Sequence, residues 1–244
     1  MKLPQVIAVT GLKTEARIIA GPHVHAIACG GNALALEQAL ESAVANKASA
    51  ILSFGVAGGL EPALAPGTKL VARSVIGEDG VCYACDNVWS KQLLSLFDGA
   101  LTADIAGVSA PLASKVEKSA LYFKTGAQAA DMESHIAGKV AAAHNLPFAV
   151  FRVIADPAER RLPHAALVAL KPDGSIAFGA ITRSLLRNPA QIPQLFRTAK
   201  DARAAFVTLF HGGKLISGML GVSDFRKLLL DVSAEDVLGR TLEI

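Results

Sequence analysis

Short continuous apolar runs alternate along this chain with stretches in which apolar residues recur every three or four positions, the first pattern reading as buried strand and the second as amphipathic helix. Val6-Ile-Ala-Val9, bounded by Thr10-Gly11, predicts a first strand. A second run begins at Ala50, breaks into Gly55, Gly58 and Gly59, is stopped by Pro62 and Pro66, and resumes toward Ala72. That predicts a strand, a glycine-rich turn and another strand. Phe148 through Ala155 is apolar almost throughout, as expected of a strand covered on both faces.

The helical spacings fall between these runs. Leu36, Ala39, Leu40, Ala43 and Val44 form one stripe, with Asn32 placed to cap it. Trp89, Leu93, Leu96 and Phe97 form another, inserted among strands over 70–112. Ser114-Lys-Val-Glu117 has capping-box spacing, with the apolar positions Val116, Ala120 and Phe123 behind it, so a short helix starts there. Ile136, Val140 and Ala141 follow Asp131-Met-Glu133 into a further helix. The distal part repeats at Leu195, Ala199, Ala202, Phe206 and Leu209, and His211-Gly-Gly213 is expected to end that helix. A last stripe, Val222, Phe225, Leu229 and Val232, borders Arg226 and Lys227. Strands alternating with helices predict an α/β fold, divided into a domain over 1–212 and an amphipathic helical extension over 213–244.

Composition narrows the partners. Hydrophobic residues are 52% of the 244 and charged ones 18%, which excludes a disordered chain. The net charge of +3 is too mild and dispersed for a nucleic-acid face. No apolar run approaches the roughly 18 residues of a membrane-spanning helix, and no signal-peptide pattern opens the chain; the expectation is a cytoplasmic protein. Cys29, Cys82 and Cys85 are an odd set, and Cys82-Tyr-Ala-Cys85 lacks the second ligand pair of a zinc site. Reduced thiols and no metal are expected. His23 and His25 read as surface imidazoles on a strand.

Candidate chemistry gathers at strand ends, where open α/β sheets bind ligands. Glu15 lies just beyond the first strand, as a site carboxylate or as an exposed first-turn acid. Gly30 and Gly31 feed a helix start, where free N–H groups suit phosphate, or make an ordinary loop. The glycine turn lacks dinucleotide spacing, and Gly11-Leu-Lys13-Thr14 lacks that of a P-loop. Asp131 and Glu133 at a helix entrance favour the helix dipole and are also placed for chemistry. Arg152 inside an apolar strand requires a partner, because an unpaired buried charge is costly; Glu15, Asp131, Glu133 or a phosphate would serve. Asp156 ends the strand, as a turn cap or a site acid. The polar segment 158–164, with Arg160 and Arg161, reads as a lid or a solvated loop.

Taken together and in order, Phe54-Gly-Val-Ala-Gly-Gly-Leu60, Asp131-Met-Glu133 and Arg152-Val-Ile-Ala-Asp156 resemble the purine nucleoside phosphorylase and nucleosidase superfamily, above all the hopanoid-associated phosphorylases, over most of residues 5–210. The resemblance implies a three-layer nucleoside-phosphorylase-like fold with a mixed central sheet flanked by helices. It implies phosphorolytic release of adenine from a 5′-substituted adenosine such as adenosylhopane, with inorganic phosphate as co-substrate and no cofactor. A hydrolytic nucleosidase of the methylthioadenosine/S-adenosylhomocysteine type, or a non-catalytic nucleoside-binding homologue, is the alternative. Partners would be a lipid-linked adenine nucleoside, peripheral contact with the inner membrane, and further copies of the chain.

The resemblance also assigns roles. Asp156 protonates the purine N7, Glu133 holds the ribose hydroxyls and Met132 packs on the ribose face. Glu15 activates water in the nucleosidase branch. Val56, Ala57, Gly58 and Asp131 line the substrate, and Gly30, Gly31 and Arg152 take the phosphate. One departure is Val56, where many nucleosidases carry Ser or Thr, so a hydroxyl contact there must come from elsewhere.

Overall fold

The apolar runs become the strands of one mixed sheet in the computed structural model, which describes residues 5–220. In chain order they are β1 (Gln5–Thr10), β2 (Val24–Ala28), β3 (Ala48–Gly59), β4 (Lys69–Ile76), β5 (Cys82–Ala84), β6 (Leu101–Gly107), β7 (Ala129–Asp131) and β8 (Phe148–Asp156). β1 lies parallel between β2 and β3. β8 runs parallel to β3 and antiparallel to β4. β6 joins β4 to β7, and β7 returns antiparallel to the end of β3. Strands β3, β8, β4, β6 and β7 therefore close into a circuit, which explains why Val150, Phe151 and Val153 of β8 are buried whichever way they point.

The helices are α1 (Lys13–Ile19), α2 (Ala33–Ala45), α3 (Asn87–Ser95), α4 (Lys115–Thr125), α5 (Ser134–Ala143), α6 (His164–Leu167), α7 (Phe178–Arg187) and α8 (Ile192–Leu220). Leu36 and Leu40 of α2 and Ile136 and Val140 of α5 pack on one side of the sheet against Ile7, Ile51 and Val150. Ile19 of α1, Trp89 and Leu93 of α3, and Leu209 and Ile216 of α8 pack on the other against Leu52, Phe54 and Phe151. The result is the expected three-layer α/β arrangement. Asn32 caps α2 by accepting the Ala35 N–H, and Ser114 with Glu117 forms the reciprocal box at α4. Asp86, to which the sequence gives no role, caps α3 through the Trp89 N–H.

Four expectations are corrected. The glycines do not end β3: the strand runs through Gly55 and Gly58 to Gly59, paired with Arg152 and Asp156 of β8, and the turn comes at Pro62 and Pro66. On α4 the apolar positions behind the cap face solvent rather than the core, with Val116 78% and Phe123 81% exposed. The inner side instead carries Lys118, Leu121 and Tyr122.

The third and fourth concern α8, which continues through Gly212-Gly213 to Leu220. Its buried line is Ala205, Leu209, Gly212, Gly213 and Ile216, which keeps Leu209 of the expected stripe, with Phe206 packed partly buried beside it and Ala199 exposed. These glycines let the helix press on the body: a Cβ at Gly212 would lie 3.0 Å from the Phe151 ring, and one at Gly213 2.5 Å from Ile18. The expected boundary at 212–213 thus falls inside a helix. The stripe Val222, Phe225, Leu229 and Val232 lies outside the described residues. Among the described residues no helix is long and apolar enough to cross a membrane.

Candidate active site

Because β1, β3 and β8 are parallel neighbours, their carboxyl ends open on the same edge of the sheet. There the chain encloses a cavity of about 320 Å³. Its polar wall brings together Glu15, Asp131, Glu133 and Asp156, all anticipated from the sequence, with Val56, Ala57, Gly58 and Met132 between them. The rest of the wall is apolar, from Leu60, Val108 and Leu112 and from a cover contributed by Leu162, Leu167, Leu170 and Ile176.

Glu15 is held from two directions. Sitting in the first turn of α1, it accepts the Leu12 N–H on Oε2 at 2.8 Å and the Val56 N–H on Oε1 at 2.8 Å. It is 1% exposed, so the reading as an exposed first-turn acid fails. Burial pushes its carboxyl above the ordinary range, opposed by the charge of Arg152 and by the backbone N–H bonds. The approach is possible because position 55 has no side chain: a Cβ there would lie 2.7 Å from both Arg152 Nη1 and Glu15 Oε1. The Val56 amide, a candidate substrate contact, is thereby occupied.

Arg152 finds its partners among the carboxylates. Its Nε lies 2.8 Å from Asp131 Oδ2, close enough to pair by charge although the N–H is not aligned for a hydrogen bond. Nη2 lies 3.5 Å from Glu133 Oε2 and donates to the hydroxyls of Ser53 at 2.6 Å and Ser134 at 3.2 Å. Nη1 donates to the Val56 carbonyl at 3.3 Å. Asp131 also caps α5, its Oδ1 accepting the N–H groups of Glu133 at 2.9 Å and Ser134 at 2.7 Å. Asp131 thus serves the start of α5 and the guanidinium together. Burial pushes Glu133 up to about 8, Arg152 opposing and the charges of Asp131 and Glu15 adding to the rise.

Asp156 stands at the end of β8 with a partner the sequence did not disclose. Lys118 Nζ donates to Asp156 Oδ2 at 2.5 Å and to the carbonyls of Pro157 and Arg160 at 3.0 Å each. Burial raises the Asp156 carboxyl and the Lys118 charge pulls it back. Lys118 is missed because the Val/Phe stripe of α4 outweighs it; Lys118, Leu121, Tyr122 and Thr125, at i, i+3, i+4 and i+7, is the competing face that pointed inward.

Gly30 and Gly31 do not line the cavity. Both have positive φ, 54° and 76°, and Gly30 donates its N–H to the Gly11 carbonyl at 3.0 Å. A Cβ on Gly31 would lie 2.3 Å from Met132 Cε, so the glycine makes room for the methionine. Arg152 lies behind the carboxylates rather than on the wall. Lys118 is the one cation lining the cavity among the described residues. Arg17 is exposed, and Arg73 pairs with Asp104 away from the site. Arg160 pairs with Asp201 at 2.9 Å.

Comparison with known proteins bears on the family and the fold. The sequence profile of the family described as the phosphorylase superfamily matches residues 4–187. No curated protein sequence matches. Among solved structures, the 5′-methylthioadenosine/S-adenosylhomocysteine nucleosidase of Helicobacter pylori is 15% identical with a TM-score of 0.62, over 90% of this chain and 99% of that one. The corresponding nucleosidase of Colwellia psychrerythraea, solved in complex with adenine, is 15% identical with a TM-score of 0.58, over 75% and 96%. The futalosine hydrolase of Helicobacter pylori is 17% identical with a TM-score of 0.56, over 64% and 89%. At these identities the likeness is one of fold.

Proposed function

The chain belongs to the phosphorylase superfamily, and from that premise we propose that it cleaves the N-glycosidic bond of a 5′-substituted adenosine, releasing adenine, with water as the attacking nucleophile. The observation that carries the reading is the convergence of Glu15, Glu133 and Asp156 on one cavity. Glu15 reaches the cavity from the first turn of α1, fastened to the Val56 N–H of β3, and Asp156 reaches it from the end of β8, the strand beside β3. The arrangement assigns one acid to the nucleophile at the ribosyl carbon and the other to the purine N7.

The chemistry follows from the groups present. Bond cleavage leaves positive charge on the ribosyl carbon and negative charge on the base. Glu133 accepts from the ribose hydroxyls, and its ionised form stabilises the first. Asp156 donates a proton to N7, so the base departs neutral. Glu15, its basicity raised by burial, takes a proton from the attacking water. The apolar walls suit the faces of a purine and an apolar 5′ group. The nucleosidases of similar fold are named for 5′-methylthioadenosine and S-adenosylhomocysteine, substrates of the same kind.

Phosphorolysis of the same bond, which the resemblance puts first, asks for a cation free to meet phosphate. Among the described residues lining the cavity the cation is Lys118, and Asp156 already holds it. The nucleophile side presents carboxylates, which repel phosphate and suit water. The test is to incubate the purified protein with 5′-methylthioadenosine, adenosine and adenosylhopane, with and without phosphate, and to identify the products by mass. Adenine with free sugar supports hydrolysis, and adenine with a sugar 1-phosphate overturns it.

A further inference from the structure

Lys118 is a fully buried amine that an apolar helix face had no need to supply. We propose that Lys118 is a positioning residue for Asp156: it fixes one carboxylate oxygen, leaves the other to face the base, and stabilises the carboxylate that remains when the base takes the proton. The assignment rests on the reading of Asp156 as the acid toward N7.

Three observations carry it. The ammonium has three N–H donors, and the structure gives three acceptors: Asp156 Oδ2 at 2.5 Å and the carbonyls of Pro157 and Arg160 at 3.0 Å. Every donor is used, so the amine is locked in one place and Oδ2 is committed to it. The lysine side chain is 2% exposed against 16% for Asp156, so this pair is shielded from water and its mutual attraction is strong. Both carbonyls belong to the segment that leaves β8, so one side chain of α4 ties the acid and the following loop together.

The proton balance is closed. Asp156 carries the proton on Oδ1 and passes it to N7 as the bond from N9 to the ribosyl carbon breaks. The electron pair of that bond stays on the purine, which leaves as the neutral 7H tautomer. The carboxylate left behind is countered by the Lys118 ammonium, which neither gains nor loses a proton. Without that ammonium, the buried carboxylate would form uncompensated and the acid would donate poorly.

The experiment uses Lys118→Met and Lys118→Gln in the full chain, with two ribosides: 5′-methylthioadenosine, and 4-nitrophenyl riboside, whose phenolate leaves without N7 protonation. The expected result is a fall in kcat of about 10–10³-fold on the nucleoside with KM within a few-fold, the scale of impaired acid catalysis, while nitrophenolate release is spared in both variants. Equal loss on the two substrates, or no loss on the nucleoside, overturns the assignment, since a merely structural lysine does not distinguish leaving groups. A wild-type protein inactive on both ribosides overturns instead the glycosidic reading beneath it.

Discussion

The backbone N–H of Val56 donates to Glu15 Oε1 across 2.8 Å, fastening the first turn of α1 to the glycine-containing end of β3. With the Leu12 N–H on its other oxygen, the carboxylate is an acceptor at both ends. Gln has only one accepting end. Glu15→Gln therefore sets an NH₂ against one N–H, costing about 1–3 kcal/mol of stability. It also removes the base toward water, so kcat should fall roughly 10²–10⁴-fold. Thermal unfolding and steady-state kinetics on one preparation check both; wild-type turnover in Glu15→Gln would remove Glu15 from the chemistry.

Asp156→Asn is expected to lose activity and also stability. Turnover should fall about 10²–10⁴-fold. The substitution also strands the Lys118 ammonium, 2% exposed, without its carboxylate, and breaking a buried pair costs roughly 3–5 kcal/mol. Adding Lys118→Met to Asp156→Asn should restore most of the melting temperature and none of the turnover. A double variant no more stable than Asp156→Asn would show the pair to be worth little.

Glu133 gives stability a signed pH dependence. Its carboxyl is raised from 4.5 to about 8 in the folded protein, so the folded state holds a proton that the unfolded chain releases. Its contribution is full below the ordinary carboxylate range and is lost as pH rises toward about 8, at a slope of up to ~1.4 kcal/mol per pH unit. Melting temperature across this window should fall with pH in the wild type and less steeply in Glu133→Gln. Parallel slopes would contradict the assignment.

The two kinds of glycine in α8 separate by packing. A Cβ at Gly213 meets Ile18 Cγ2 at 2.5 Å, whereas one at Gly218 meets nothing within 4 Å. Gly218→Ala should stabilise by up to about 1 kcal/mol through helix propensity. Gly213→Ala should destabilise by about 1–3 kcal/mol through overpacking despite the same gain. Chemical denaturation measures both, and equal effects would refute a close contact at Gly213.

Much of this was legible in the chain. Strand positions could be read because buried strands must be apolar on both faces, and Arg152 announced its carboxylate partners because a guanidinium cannot stay unpaired in such a strand. Asp156 and Glu15 were legible as acids at strand ends and Glu133 as one at a helix entrance. Lys118 was not, because α4 carries two faces at helical spacing and local pattern favours the one with Val116 and Phe123, which the fold leaves in water. Gly212 and Gly213 read as a stop because their reason for being small lies on Ile18 and Phe151, distant in sequence. The apolar cover from Leu162 to Ile176 has no periodicity by which to recognise it, since it is shaped by the cavity beneath.

The central claim is hydrolysis of a purine nucleoside in this cavity, and the most direct measurement is the rate of adenine release from 5′-methylthioadenosine as inorganic phosphate is raised from none. The account predicts adenine and free methylthioribose at a rate independent of phosphate. Release that is absent without phosphate and saturates as phosphate is added would contradict it.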